Sequence, residues 1–331
     1  MRPVGRMARA AAVAAATAAV VLAAGCATSG EPPPAATARG AATHGTGSQG
    51  TAGDGTGAHA TPADTTASCD PEASSLAPSG PPSVSAGSFA ARIRARGYLI
   101  AGVDQSTYHF GFLNPIDNKI EGFDIDMVDA VAQSVFGSGY QSHIEFKAIP
   151  DADRISDLQS GAVDLVAHTM TITCSRLQQI DFSSVYYKAE EELLVLRNSK
   201  ASGLQDLAGR KVCATYGSDD VATIQRYHAI PYQVNYWSDC LVALQQGQVA
   251  GISTDDSILH GLQAQDPFTK IIPQQLEPEP YGLGIAKTHP DFVRFVNAIL
   301  AQIESNGTWQ ADYRQWVGSI APAPPVPRYA S

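Results

Sequence analysis

Residues 162–187 read AVDLVAHTMTITCSRLQQIDFSSVYY, and the reading of this stretch decides the fold. It opens on an apolar run, Ala162 to Ala167, of buried-strand length, and passes through Thr169, Thr171 and Thr173 before a turn at Cys174-Ser175-Arg176. Hydroxyls and one guanidinium therefore gather just beyond a strand end, which in an open α/β sheet is where small ligands sit. An arginine fork beside hydroxyl and backbone donors suits a carboxylate. The plainer alternative is that the threonines cap and satisfy a loop while Arg176 is solvated.

Upstream, GFDIDMVDAVAQSV at 122–135 is a strand-to-helix entry. Asp124 and Asp126 fall where the positive end of the helix dipole favours carboxylates, and Ile125, Val128, Val131, Ala132 and Val135 share one apolar face. That position accounts for the two aspartates as structural groups rather than as an acid/base pair. The pattern T-x-T-x-x-R followed by I-D-F-S-x-x-Y-Y, together with G-F-D-I-D, resembles family 3 of the extracellular solute-binding proteins, the amino-acid-binding branch that serves ABC transporters, over about residues 90 to 320. Cys69-Asp-Pro, TMTITCSR at 169–176, SDCLVALQQ at 238–246 and Pro327-Arg-Tyr resemble in particular the actinobacterial GlnH-like lipoproteins that bind glutamate and aspartate. The resemblance implies a periplasmic-binding-protein-like type II fold, in which two α/β lobes joined by a two-strand hinge enclose a ligand cleft. On that plan 88–188 with 283–320 form the first lobe and 189–282 the second, and 321–331 is a tail too rich in proline to pack.

Residues 1–26 precede this body. Arg2, Arg6 and Arg9 lead an apolar run, Ala10 to Ala24, too short to span a bilayer comfortably, and small residues follow before Cys26. These features are those of a lipoprotein signal peptide whose Cys26 becomes the lipidated first residue, although Leu22 lies one place further from Cys26 than the usual lipobox leucine. An uncleaved signal anchor is the alternative. Either places the protein outside the cytoplasm, and a diacylated cysteine would hold it at the outer face of the membrane. Residues 27–87 are Ala, Gly, Thr, Pro and Ser with almost no large apolar side chain, which reads as a disordered tether. The GTGSQG at 45–50 fits a dinucleotide fingerprint letter for letter, yet no strand precedes it and no helix follows.

The resemblance also assigns a site. The loop after the first strand, Asp104 to Phe112, would wrap the ligand, with Tyr108 preferred to Phe110 as the packing aromatic and Asp104 at the cleft edge, where it repels an acidic side chain unless it meets a cation. Arg154 opens a helix, an unfavourable place for a cation, and an arginine in this context contacts the ligand in glutamate- and aspartate-binding members. A surface arginine paired with Asp151 or Asp157 is the alternative. Arg154 and Arg176 would then supply two forks, with Thr169 and Thr171 beside them. Ser218 or Asp219 would cap a helix whose N–H groups face the cleft. Asp255 would hold the α-ammonium, with Asp256 as its helix-capping neighbour. The acidic run Glu190-Glu191-Glu192 reads as a solvated strand edge, Val234 to Trp237 as a strand and Leu241 to Gln246 as a helix.

Two arginines and one aspartate would neutralise a dicarboxylic amino acid, whose burial otherwise costs several kcal/mol. Glutamate and aspartate, or their amides, are therefore the expected ligands. The chain's net charge of -10 and the absence of a basic aromatic patch exclude nucleic acid as a partner. Five cysteines less Cys26 leave an even count; both Cys213 and Cys240 fall in the implied second lobe, so these would pair, leaving Cys69 with Cys174. No CxxC or HExxH occurs and the eight histidines are scattered, so neither metal nor cofactor is expected. A monomer feeding an ABC permease is the leading function, and a sensor signalling from the same cleft to a membrane partner the first alternative. An enzyme on this fold, such as a dehydratase, lacks support because no nucleophile elbow or catalytic domain is present.

Overall fold

The structure, a computed structural model, describes residues 69–330. The expected signal peptide, Cys26 and the expected tether up to residue 68 lie outside the described residues. Two open α/β sheets carry the two lobes. In the first the strand order is Ile144–Ala148, Leu99–Val103, Leu165–Ala167, Gly284–Ile285 and Asp181–Phe182, with the first three parallel and the last two antiparallel additions. The second runs Ile230–Val234, Lys211–Thr215, Gly251–Asp255, Tyr187–Leu196 and Thr269–Ile272.

The apolar face read into residues 122–135 becomes the helix Phe123–Phe136, whose Val128, Val131, Ala132 and Val135 are fully buried against the first sheet. Its N-terminal residue Phe123 joins Phe110, Tyr187, Tyr281 and Trp309 in an aromatic cluster, with ring centroids 5.0–6.1 Å apart in the pairs Phe110–Tyr187 and Phe110–Tyr281. The Trp309 indole N–H donates to the Tyr186 carbonyl at 2.8 Å, so the buried ring keeps its polar handle satisfied. Two chain crossings join the lobes. The ten-residue strand Tyr187–Leu196 starts in the first core and ends, at Leu193 to Val195, in the second, and Pro278–Tyr281 returns antiparallel along it with Tyr281 opposite Tyr187.

Both disulfides are formed. Cys213–Cys240 ties the strand Lys211–Thr215 to the helix Trp237–Gln245 inside the second core, and Cys69–Cys174 closes a span of 105 residues. The latter corrects the tether boundary placed at 87: from Cys69 on the chain is built into the first lobe. Pro71–Ala73 is a turn of 3-10 helix capped by Asp70, and the Ser75 hydroxyl donates to the Phe182 carbonyl at 2.7 Å. The proline-rich tail is tied down as well. The Ala330 N–H donates to the Ser75 carbonyl at 2.8 Å and Arg328 pairs with Asp70 at 2.6 Å, because the residues after the last proline recover the donors that proline lacks.

Around Trp237 the element boundaries also differ from expectation: the strand is Ile230–Val234 and the helix Trp237–Gln245. Pro231 hides the strand from a sequence reading, and it is tolerated because this strand forms the sheet edge. Among the described residues no helix is long and apolar enough to cross a membrane.

Asp126 and Asp129 on the first-lobe helix face Asp312 of the helix Thr308–Trp316. Burial, opposed by hydrogen bonds from Trp316 and Tyr140 and reinforced by Asp312, pushes the Asp126 carboxyl up to about 7 and that of Asp129 to about 6. A carboxyl raised above its unfolded value of 3.8 contributes stability that is complete below that value and lost as pH rises through the folded one. In urea unfolding from pH 4 to 8, the stability difference between wild type and Asp129→Asn should shift in favour of the variant as pH rises through 6. A difference independent of pH would refute the assignment.

Candidate functional site

The cleft is built on the stretch that opened the sequence reading. Leu165–Ala167 ends in His168-Thr169, and Thr169 sits at φ 42°, a left-handed conformation that is costly for a β-branched residue. Asp124 holds it there by accepting from the Thr169 N–H at 2.6 Å while also accepting from the Tyr186 hydroxyl at 2.6 Å. The helix-start carboxylate thus positions the binding loop without entering the cleft. Burial pushes the Asp124 carboxyl up to about 6, against the pull of these two donors. Beyond Thr169, Ile172 donates to the Pro280 carbonyl and Gly282 to that of Met170, so the loop is stitched to the return strand of the hinge. Thr173 caps the single helical turn Cys174–Leu177, which aims Arg176 inward.

Arg154, Thr169, Thr171, Ser218, Asp219 and Asp255 line one tight cavity of about 10 Å³, and Arg176 reaches its wall through Asp219. Asp151, Asp220, Trp237 and Thr254 complete the lining. Both arginines are buried rather than solvated, and both span the cleft. Arg154 donates through Nε to the Asp151 carbonyl (3.0 Å) and through Nη1 to that of His168 (3.1 Å), while Nη2 reaches the Gly217 carbonyl of the opposite lobe at 3.4 Å. Its Nη1 also lies 3.2 Å from Asp151 Oδ1, so the pairing with Asp151 holds but at a buried place, not on the surface. Arg176 donates through Nη1 to the Thr171 carbonyl (2.7 Å) and through Nη2 to Gly217 (3.1 Å) and Asp219 (3.0 Å).

These groups set one another's charge. Burial works against the Arg154 cation and moves its pKa down in spite of Asp151, whereas Arg176, equally buried, is raised because Asp219, Asp151 and Glu279 outweigh desolvation. Asp151 ends below its ordinary value because Arg154 and His168 overcome burial. Asp255 has no such cation. Burial, with Asp219 and Glu191 adding repulsion, raises it well above the carboxylate range although the Tyr281 hydroxyl donates to it. That hydroxyl also meets Ser257 Oγ at 2.6 Å.

Other expected site residues stand elsewhere. Asp104 is buried, but both its oxygens accept from its own loop: Oδ1 from the N–H groups of Gln105 and Ser106 and the Ser106 hydroxyl, Oδ2 from Thr107. It shapes the loop and does not line the cavity. Tyr108 is 37% exposed, meets His109 at a tilt and Phe112 edge-on and stays outside the cavity, and Phe110 belongs to the first core. Neither Ser218 nor Asp219 caps the following helix Asp220–Arg226. Asp219 turns to Arg176 instead, and the buried Ser218 hydroxyl has no partner. Asp255 lines the cavity and stands at the N-cap position of the helix Asp256–Gln265 without a side-chain cap bond, while Asp256, expected as the capping neighbour, is the first helical residue and accepts from the N–H groups of Ser257 at 2.7 Å and Glu190 at 3.4 Å.

The sequence reading missed the two glycines that let the lobes meet. A Cβ on Gly217, whose φ is +85°, would lie 2.7 Å from the Ala152 Cα, and one on Gly261 would lie 2.7 Å from the Tyr108 carbonyl oxygen. Gly217 stood within an evident tight turn, but Gly261 sits inside the helix Asp256–Gln265, where nothing local calls for glycine.

Residues 99–319 match the model of the bacterial extracellular solute-binding proteins, family 3. The ABC transporter glutamine-binding protein GlnH of Bacillus subtilis is 32% identical over 69% of this chain and 84% of its own. The glutamate-binding protein GluB of Corynebacterium glutamicum is 29% identical over 60% of this chain and 72% of its own. Among solved structures, an ancestral arginine-binding protein bound to glutamine is 30% identical, with TM-score 0.63 over 67% of this chain and 99% of that one.

Gly261→Ala isolates the lobe contact. Alanine is favoured over glycine in a helix by roughly 1 kcal/mol, so the second lobe should not lose stability, while the clash with Tyr108 holds the lobes apart. Small-angle scattering should give a larger radius of gyration than wild type under conditions in which the wild type is closed. An unchanged radius would show that this contact does not gate closure.

Proposed function

Since the chain belongs to the bacterial extracellular solute-binding proteins of family 3, we propose that it captures a free α-amino acid outside the cytoplasm and presents it to an ABC importer. The observation that carries the reading is a buried carboxylate without an ion pair among the described residues, Asp255, in the lining of the cavity whose wall residue Asp219 holds the buried Arg176, with Thr171 in the same lining. An α-amino acid brings the complementary pair. Its carboxylate is met by Arg176, whose Nε–H has no partner among the described residues, and its ammonium supplies the positive charge that Asp255 lacks. Thr169, Thr171 and Ser218 add donors at the rim of the pair.

The side chain falls to Arg154. Because Asp151 already balances Arg154 at 3.2 Å, a second ligand carboxylate would meet little net positive charge, whereas an amide needs only the donors and acceptors present. Glutamine and asparagine are therefore favoured within the group formed with glutamate and aspartate. The glutamine-binding relative and the glutamine-bound ancestral structure support that choice, and the glutamate-binding relative keeps the acids in view. Cys26 would carry the lipid that keeps a monomeric receptor at the outer face of the membrane.

Calorimetric titration with glutamine, glutamate, asparagine, aspartate and arginine tests the assignment. One of the first four should bind most tightly, and Arg176→Ala or Asp255→Asn should weaken it about 10- to 150-fold, the equivalent of one charge-assisted hydrogen bond. Unaltered affinity in both variants would remove the proposed roles. Preference for arginine would keep the receptor and overturn the side-chain assignment.

A further inference from the structure

Glu191 was expected on a solvated strand edge, but it is fully buried, because the strand that carries it is an inner strand of the second sheet. It meets Glu279 of the return strand and Asp220 at the start of the helix Asp220–Arg226, themselves 4% and 3% exposed. One carboxylate oxygen from each of the three lies within 4.8 Å of the others. The Ser253 hydroxyl donates to Glu191 Oε1 at 2.7 Å, but Glu191 Oε2, Asp220 Oδ1 and Glu279 Oε2 are buried without any donor.

Neighbouring cations answer this need only from a distance: Arg176 acts on Glu279 and Asp220, and Arg226 on Glu191, but neither forms an ion pair with the three acids. Arg176 is held by Asp219, Gly217 and Thr171, and Arg226 by Glu277 at 2.5 Å and the Thr223 hydroxyl at 3.0 Å. Asp255 adds a fourth negative group on the cleft side. Three buried carboxylates facing one another cost far more than any one of them unless positive charge joins them.

We propose that Glu191, Asp220 and Glu279 form a binding site for a hard divalent cation of the calcium class at the hinge of the cleft. All-carboxylate oxygen donors select calcium and magnesium over softer metals. Two oxygens on opposite sides of calcium stand about 4.6–5.2 Å apart, twice its bond length, which accommodates the observed spacing. Magnesium keeps several of its waters and is less suited to a buried set of three side chains. A larger open cavity lined by Asp70, Glu72, Asp219, Glu277 and Glu279 offers an acidic approach from solvent. The expectation that no metal binds rested on cysteine and histidine spacing, and three acids from separate elements leave no such trace.

The position gives the cation a task. It would join both hinge strands to the helix whose lead-in, Gly217 to Asp219, receives Arg154 and Arg176 from the other lobe. Calcium would thereby favour the closed arrangement, and closure would in turn raise the affinity for calcium.

The first experiment is calorimetric titration of the metal-stripped full chain with calcium alone, no amino acid present, followed by thermal unfolding in EDTA and in excess calcium. One calcium per chain and a higher unfolding midpoint are expected, with magnesium at least 10-fold weaker. In EDTA, Glu191→Gln and Glu279→Gln should be as stable as wild type or more so, because repulsion is relieved, and both should lose the calcium-dependent rise. No heat and no rise in the wild type would overturn the site whether or not the variants fold. An undiminished calcium response in both variants would overturn it too, by locating the metal elsewhere.

Discussion

Two guanidinium groups buried in one cleft impose the constraint on which the rest of this structure depends. Neither Arg154 nor Arg176 can remain dry and unpaired, and the first lobe alone satisfies only part of each fork. The Gly217 carbonyl and Asp219 of the second lobe meet part of the remainder, and the Arg176 Nε–H is left over among the described residues. The seam between the lobes is therefore polar and directional, unlike the cores on either side. It holds together by hydrogen bonds that a ligand offering its own carboxylate can replace, which is how a binding cleft can close on its cargo without being sealed by apolar contact.

The hinge is the counterweight to that seam. Tyr187–Leu196 and Pro278–Tyr281 pass between the lobes as paired strands, and the aromatic cluster around Phe110, Phe123 and Tyr281 roots them in the first core. Tyr281 links this packing to the chemistry, since its hydroxyl serves Asp255 and Ser257 while its backbone accepts from Tyr186. Glu191 and Glu279, on the same strands, put two buried acids at the crossing between the lobes. The site and the moving part of the fold are consequently one network. A change in charge at the hinge is felt at the cleft through a few residues rather than through the whole molecule.

Much of this was legible along the chain. The strand end before Thr169 and the turn at Cys174 were marked by an apolar run and its polar sequel, and the helix beginning at Phe123 followed from its apolar spacing. Arg154 announced itself by standing at the wrong end of a helix. What escaped was how individual side chains find their partners, within a loop or across the cleft. Asp104 satisfies its carboxylate entirely within its own loop, Asp219 prefers Arg176 to a helix cap, and Gly261 is a glycine only because Tyr108 approaches it from across the cleft. Residues 69 to 87 and the tail looked unable to order themselves, and they order one another through Ser75, Tyr329 and the Cys69–Cys174 bond.

The sequence by itself determined the strand ends and helix faces, because periodicity and turn chemistry are local properties written in consecutive residues, and its motifs, through their family resemblance, implied the two-lobe α/β architecture and the residues of the cleft. Only the tertiary structure decided how the charges pair. Whether an aspartate caps a helix, faces an arginine or lies stranded beside two other acids depends on desolvation and on distances of a few ångströms between segments scores of residues apart. Asp219 beside Arg176, and Glu191 beside Glu279 and Asp220, are set by packing between distant segments, where water is excluded and each buried charge must find its partner.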